Sequence, residues 1–371
     1  MGTAPEGGVP GVSDDRILFG QSAAFSGPSQ QLGTDMRLGL QAAFHEVNEA
    51  GGVNGRLLEL TTLDDAYETE AAFDNAQRLI NSEGVFALIG AVGTPTSRAS
   101  VPVAATAGVP FVAPFTGAEF LRSPELDNVL NLRASYYQET EEIVARLTED
   151  LGITRVAVLH QNDSYGATGL TGTELALERR GLEPVATGYY RRNTTAVKSA
   201  LLDIAAGEPE AVVMIGAYAP VAEMISLARS VDADLVFATV SFVGSNALSE
   251  ALGPEGAGVY VTQVVPLPGD TDVPVVAAYQ EALASYDDGA TPSFVSLEGY
   301  LAGRLAILAL EGCGSEVSRE CFLNSVRDAG AMDIEGFPLQ YGPDDNQGSD
   351  TVLLTVIGED GEYHPVERMS R

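Results

Sequence analysis

The segment 17–63 constrains the fold most, because it spells strand, loop, helix, tight turn and strand in that order. Residues 17–20 are short and mostly apolar. Ser26-Gly27-Pro28 then breaks the chain, and the glycine permits a sharp bend. Apolar side chains next return at helical spacing, at Met36, Leu40, Ala43, Phe44 and Val47. Gly51-Gly52-Val53-Asn54-Gly55 stops that helix, and 57–63 read as a second strand ending in Asp64-Asp65. A helix between two such strands is a right-handed crossover, with its upper loop facing whatever the protein binds.

Strand and helix signals alternate through the rest of the chain. Strands are predicted at 86–89, 111–113, 129–132, 156–160, 184–189, 211–215, 235–238 and 259–264, and helices at 71–81, 98–107, 139–151, 169–180, 196–205 and 221–230. This pattern gives an α/β chain whose parallel sheets carry helices on both faces. The strands are too many for one sheet, and 371 residues can build two cores, so two doubly wound lobes are expected. The pattern restarts near Arg133-Ala134-Ser135 and breaks again at the Pro- and Gly-rich 266–270. Helical patterns follow at 275–286, 297–310 and 321–329. Gly336-Phe337-Pro338 reads as another break, and 350–357 with 363–366 as a hairpin.

Charge excludes several partners. A net charge of −32 and a pI near 4.2 oppose binding to nucleic acid or to an anionic membrane, both of which need Lys and Arg. Lys198 is the only lysine among 20 basic residues, which suits a high-salt environment where self-repulsion is screened, or else a generally acidic proteome. Mean hydropathy is +0.07 and no apolar run reaches the ~20 residues of a membrane helix. Residues 1–13 are rich in Gly, Pro and Ala without a basic or apolar signal region, and read as a flexible leader on a trimmed chain; a cytoplasmic protein is the alternative.

Cys313 and Cys321, eight residues apart around Gly314-Ser315, suggest one disulfide in an exported protein; two unrelated core thiols are the alternative. They and the scattered His45, His160 and His364 make no metal cluster, and His160 reads as structural. No G-x-S-x-G elbow, H-E-x-x-H or P-loop is present, so an enzyme is not expected and no cofactor is implied. Gly166, Gly169 and Gly172 read as a packing face rather than a phosphate loop.

The residues that could hold a ligand cluster at strand ends. Gly90-Ala91-Val92-Gly93-Thr94-Pro95-Thr96 follows a buried strand and opens a helix, whose free N–H groups suit a carboxylate with Thr94 or Thr96 adding a hydroxyl. The alternative is that Thr94 only caps the helix. The Ser-Gly-Pro loop, the Asn-x-x-Gly-Gly-x-x-Gly turn (48–55) and the Asp-Asp strand end resemble the opening of the periplasmic branched-chain amino-acid-binding proteins, type 1 periplasmic binding proteins. The resemblance extends over nearly the whole chain. It implies two lobes joined by three crossing strands, 14–134 plus 266–337 and 135–265 plus 338–371. It also implies an extracytoplasmic or periplasmic, monomeric solute-binding protein that delivers a small carboxylate to the permease of an ABC transporter. The ligand-sensing core of a receptor or regulator is the alternative.

Residue by residue, the resemblance makes Thr94 the carboxylate's hydroxyl and Thr116 a second one, after a one-residue adjustment, with Phe115 either against the ligand or in the core. Tyr165 and Tyr218 match two tyrosines that close over the ligand, and Tyr136 with Phe242 would add aromatic wall. Where the amino-acid receptors place an acid for the ligand ammonium, this chain has Ser241. Either Glu298 serves instead, or the ligand is not a standard amino acid.

Overall fold

A computed structural model describes residues 8–231 and 234–370. The chain divides into two compact units. The first runs to Thr116 and adds Phe120–Arg133 and Pro268–Ser349; the second takes Gly117–Glu119, Ala134–Leu267 and the chain from Asp350 onward.

The first unit opens with β1 (Arg16–Ala23), α1 (Gln30–Glu49) and β2 (Leu57–Asp64). The strands pair in parallel, Ile17 opposite Leu58, as a crossover requires. The buried stripe of α1 includes Leu32, Met36, Leu40, Ala43 and Phe44. At the end of α1, Asn48 clamps β2: its amide donates to Leu58 O at 2.9 Å, and its oxygen accepts from Leu58 N at 2.8 Å. Gly52 makes the turn possible, since its φ is +77° and a Cβ there would lie 2.1 Å from Arg56 O.

The chain continues through α2 (Thr69–Arg78), β3 (Ala87–Ile89), α3 (Thr94–Thr106), β4 (Phe111–Val112) and β5 (Val129–Leu130). Among the described residues the sheet of this unit has the order β2-β1-β3-β4-β5, all parallel. Strand order reverses between β1 and β3, so the crevice beyond their C-terminal ends is the place where such a sheet binds ligands.

In the second unit the order along the chain is α4 (Tyr136–Glu149), β6 (Val156–Gln161), α5 (Ser164–Glu178), β7 (Ala186–Tyr190), α6 (Lys198–Ala206), β8 (Ala211–Ile215), α7 (Tyr218–Ser230), β9 (Val236–Thr239), α8 (Ser245–Leu252) and β10 (Tyr260–Gln263). These strands pair in parallel as β7-β6-β8-β9-β10, and the switch point lies between β6 and β8. The glycine face of α5 packs as expected: a Cβ at Gly166 would sit 1.8 Å from Gln161 O, one at Gly169 2.5 Å from Ile215, and one at Gly172 2.5 Å from the Thr140 hydroxyl.

Returning to the first unit, the chain forms α9 (Pro274–Tyr286), α10 (Phe294–Cys313), α11 (Arg319–Ala329) and a hairpin of β11 (Ala331–Ile334) and β12 (Phe337–Gln340). Helix α10 approaches α1 closely, since a Cβ at Gly39 would stand 1.8 Å from Ser296 O. Cys313 and Cys321 are joined by a disulfide across the α10–α11 turn. The tail returns to the second sheet as β13 (Leu353–Ile357) and β14 (Tyr363–Pro365), an antiparallel hairpin beside β10.

Four expectations change. The break at 336–338 is the tip of the β11–β12 hairpin, with Glu335 at φ 50° and Gly336 at φ 92°. That hairpin stays with the first unit, so the third crossing falls at Ser349–Asp350 rather than near 337. Helix α8 lies where no helix was predicted. Of the expected leader, residues 1–7 lie outside the described residues, whereas the following stretch is anchored: Leu18 N donates to Gly11 O at 2.8 Å, and a Cβ at Gly11 would lie 2.1 Å from Phe86 N.

Candidate functional site

In the first unit, two loops zip together at the C-terminal edge of the sheet. Phe115 N donates to Ala91 O at 2.8 Å and Gly93 N to Phe115 O at 3.1 Å. This brings the start of α3 beside residues 115–116. The hydroxyls of Thr94 and Thr116, both buried, are 2.7 Å apart. Gly93, at φ 98°, is the N-cap of α3 and no side chain caps the helix, so Thr94 is the first helical residue and not its cap. Its hydroxyl stands beside free helix N–H groups and the positive end of the helix dipole.

Thr96 is different. Its hydroxyl donates back to Val92 O and to Gly93 O, which spends its proton on its own helix. The expectation that Thr96 offers a hydroxyl outward therefore gives way to an internal role.

Phe115 is buried, and the Arg133 guanidinium carbon lies 5.2 Å from its ring centroid. Arg133 also forms an ion pair with Glu298, Nη1 to Oε2 at 3.5 Å, with both side chains buried. Glu298 is thus tied to a cation of its own unit.

In the second unit, Asp163 caps α5 by accepting from Tyr165 N at 3.0 Å and Gly166 N at 3.4 Å. The cap sets Tyr165 on the first turn, where its ring meets Phe242 at 4.7 Å and Tyr136 at 5.2 Å between centroids; its hydroxyl points to Gly216 O at 3.5 Å. Tyr136 starts α4 and stacks edge-on with Phe242 at 6.5 Å. Three of the predicted aromatics therefore form one cluster. Tyr218 begins α7 at the neighbouring strand end and packs partly against the apolar core of its own sheet.

Ser241 lies next to this cluster, and the buried Glu139 carboxylate holds it. Glu139 Oε2 accepts from Ser241 N at 2.8 Å and from the Thr262 hydroxyl at 2.7 Å.

The first unit thus carries hydroxyls at a helix end, and the second unit carries a cluster of aromatic rings. A family model described as periplasmic binding protein matches residues 17–362. The chain belongs to that family, in its type 1, branched-chain amino-acid-binding form. It is similar to a solved possible leucine/isoleucine/valine-binding protein from Rhodopirellula baltica SH 1, with 38% identity over 98% of this chain and 99% of that one, at a TM-score of 0.92. Among curated proteins, the Leu/Ile/Val-binding protein BraC3 of Rhizobium johnstonii is 27% identical over 84% of this chain and 83% of that protein. Leu/Ile/Val-binding protein homolog 7 of Brucella abortus is 30% identical over 53% of this chain, so the match spans about half the length of that relative.

Sequence reasoning missed several buried groups of this periplasmic binding protein. In the sequence Arg133 marks only a boundary, although a lone cation after an apolar strand is itself a signal. Glu139 stands one helical turn beyond Tyr136, a spacing that brings both to one face of α4. At the end of β2, Asp65 accepts from the Ser22 hydroxyl at 2.7 Å and from Tyr67 N at 2.9 Å. Burial pushes its carboxyl up to about 6, against those two hydrogen bonds and with help from Asp64 and Glu68. Ala66 and Tyr67 both adopt left-handed backbone, at φ 48° and 60°, a conformation kept where surrounding structure enforces it. The result seats Tyr67 against the α3 N-cap: a Cβ at Gly93 would lie 2.2 Å from Tyr67 Cε2.

Proposed function

We propose that this protein is the extracytoplasmic solute-binding component of an ABC importer, and that it binds a small carboxylate, aromatic acids included. The observation that carries the reading is the Thr94–Thr116 hydroxyl pair at the first turn of α3, beside the switch point of its sheet. Hydroxyls and unpaired helix N–H groups together stabilise an anion through charge-assisted hydrogen bonds. The second unit supplies apolar rings, Tyr136, Tyr165 and Phe242, suited to the body of the ligand, with Tyr218 at the adjoining strand end. Tyrosine offers both a flat apolar face and a hydroxyl, at little entropy cost. Binding without chemistry is the expected activity. The permease of the importer is the macromolecular partner and the monomer the working form. The disulfide accords with an exported chain.

A thermal-shift screen over amino acids, aliphatic acids and aromatic acids, followed by calorimetric titration, tests this reading. A raised melting temperature with one or more carboxylates, and one-to-one binding, is the expected result. A flat response across the whole panel sinks the carboxylate assignment.

A further inference from the structure

An ammonium group drawn out of water needs a carboxylate, or a full set of acceptors, to replace its hydration. Three carboxylates are buried among the described residues: Asp65, Glu139 and Glu298. Each is already engaged inside its own unit. Asp65 holds the Ser22 hydroxyl and Tyr67 N, and through them the strained turn that seats Tyr67. Glu139 holds the Ser241 amide and the Thr262 hydroxyl through one oxygen, Oε2, so its charge is already shared by two buried donors of its own unit. Glu298 faces the Arg133 guanidinium at 3.5 Å, and any ammonium brought to it would meet that cation as well. The half-buried Asp163, nearest in sequence to Tyr165, caps α5 and lies 3.4 Å from Arg192.

The groups expected to touch a ligand are of another kind. At the start of α3 they are hydroxyls and helix amides, which suit a negative charge. Around Tyr136, Tyr165 and Phe242 they are rings, which suit an apolar body. Ser241, beside those rings, brings no charge, and its own amide is taken by Glu139.

We infer that the ligand is an organic acid with an apolar body and no ammonium group, rather than an α-amino acid. This rests on the carboxylate reading above and narrows it. In this picture Glu139 is a positioning residue, fixing the Ser241–Phe242 turn rather than touching the ligand.

The test uses the intact protein and matched pairs: each apolar amino acid against the acid that differs only in lacking the amine, such as leucine against 4-methylpentanoate and phenylalanine against 3-phenylpropanoate. Both members are titrated calorimetrically near neutral pH. At least one deaminated acid should bind, by about tenfold or more over its amino-acid partner, which is ~1.4 kcal/mol. If an amino acid binds as tightly as its deaminated partner, or more tightly, the inference is overturned while the carboxylate reading stands. If no acid of either kind binds, both fall together.

Glu139→Gln adds a second readout. It keeps an oxygen acceptor for Ser241 N while removing the charge. Any loss should fall by the same factor on an amino acid and on its deaminated partner, because it acts through the Ser241–Phe242 turn and not through an amine. A loss larger for an amino acid than for its deaminated partner would mark Glu139 as the ammonium's counter-charge and overturn the inference.

Discussion

Replacing Thr94 with valine separates the anchor from the cap. Valine keeps the shape and β-branching of threonine and removes only the hydroxyl. Because Gly93 is the N-cap and no side chain caps α3, the variant gives up no capping bond. It does lose the 2.7 Å contact with the Thr116 hydroxyl, a neutral hydrogen bond of about 0.5–1.5 kcal/mol. In a unit of this size that lowers the melting temperature by only ~2–4 °C for each kcal/mol.

Ligand binding should suffer more. A hydrogen bond to a charged acceptor is worth about 1.5–3 kcal/mol, which predicts roughly 10- to 150-fold weaker binding of a carboxylate. Thr94→Ser keeps the donor and should stay near the parent. Thr96→Val is the internal control: its hydroxyl is spent on Val92 O and Gly93 O, so its affinity should change by less than about threefold. The assay is calorimetric titration of all four proteins with the tightest carboxylate from the panel, after melting curves establish that each is folded. Equal affinity for Thr94→Val and the parent would refute the anchor, and a larger loss for Thr96→Val would move it.

Four further outcomes are expected. Serine at Cys313 and Cys321 removes a cross-link with a sequence separation of 8, a loop whose closure is worth about 2–3 kcal/mol, so calorimetry should show earlier unfolding; unchanged melting would mean the bond constrains little. Asp65 has a folded pKa raised to about 6 from 3.8, so its contribution to stability is full below about pH 4 and is lost as pH climbs through about 6. Asp65→Asn should therefore gain on the parent as pH rises, by about 3 kcal/mol in denaturant unfolding, and a constant gap between the two would contradict the burial cost. Melting temperature should climb with NaCl, because 52 acids face 20 bases and the repulsion is screened; a flat curve would remove the case for salt adaptation. Gly39→Ala puts a Cβ 1.8 Å from Ser296 O and should destabilise the first unit by about 1–3 kcal/mol as α1 and α10 separate; a neutral melting curve would show that the helices have room to move.

Most elements and their order are legible from local pattern alone. Apolar periodicity marked most strands and helices, because a helix or strand must bury one face whatever surrounds it. The turn at Gly51-Gly52 was legible for the same local reason: only glycine is comfortable at φ 101° and 77° in succession.

Helix starts were less legible. Helices α3, α4, α5 and α7 all begin before their predicted first residues, and their first turns carry Thr94, Tyr136, Tyr165 and Tyr218. A first turn built from hydroxyls and rings breaks the apolar repeat by which helices are recognised.

Side-chain partners depend instead on how the sheets are ordered. Ser241 and Glu139 are 102 residues apart, and Arg133 meets Glu298 across a still longer interval. No local pattern encodes such pairings, because they depend on which strand ends the sheet order places side by side. The same holds for the third crossing: Gly336-Phe337-Pro338 reads alone as a chain break, and Phe337–Gln340 becomes a strand only because Ala331–Ile334 lies antiparallel to it. Local chemistry acts over a few residues, whereas burial of a charge or a hydroxyl is settled by the whole fold around it.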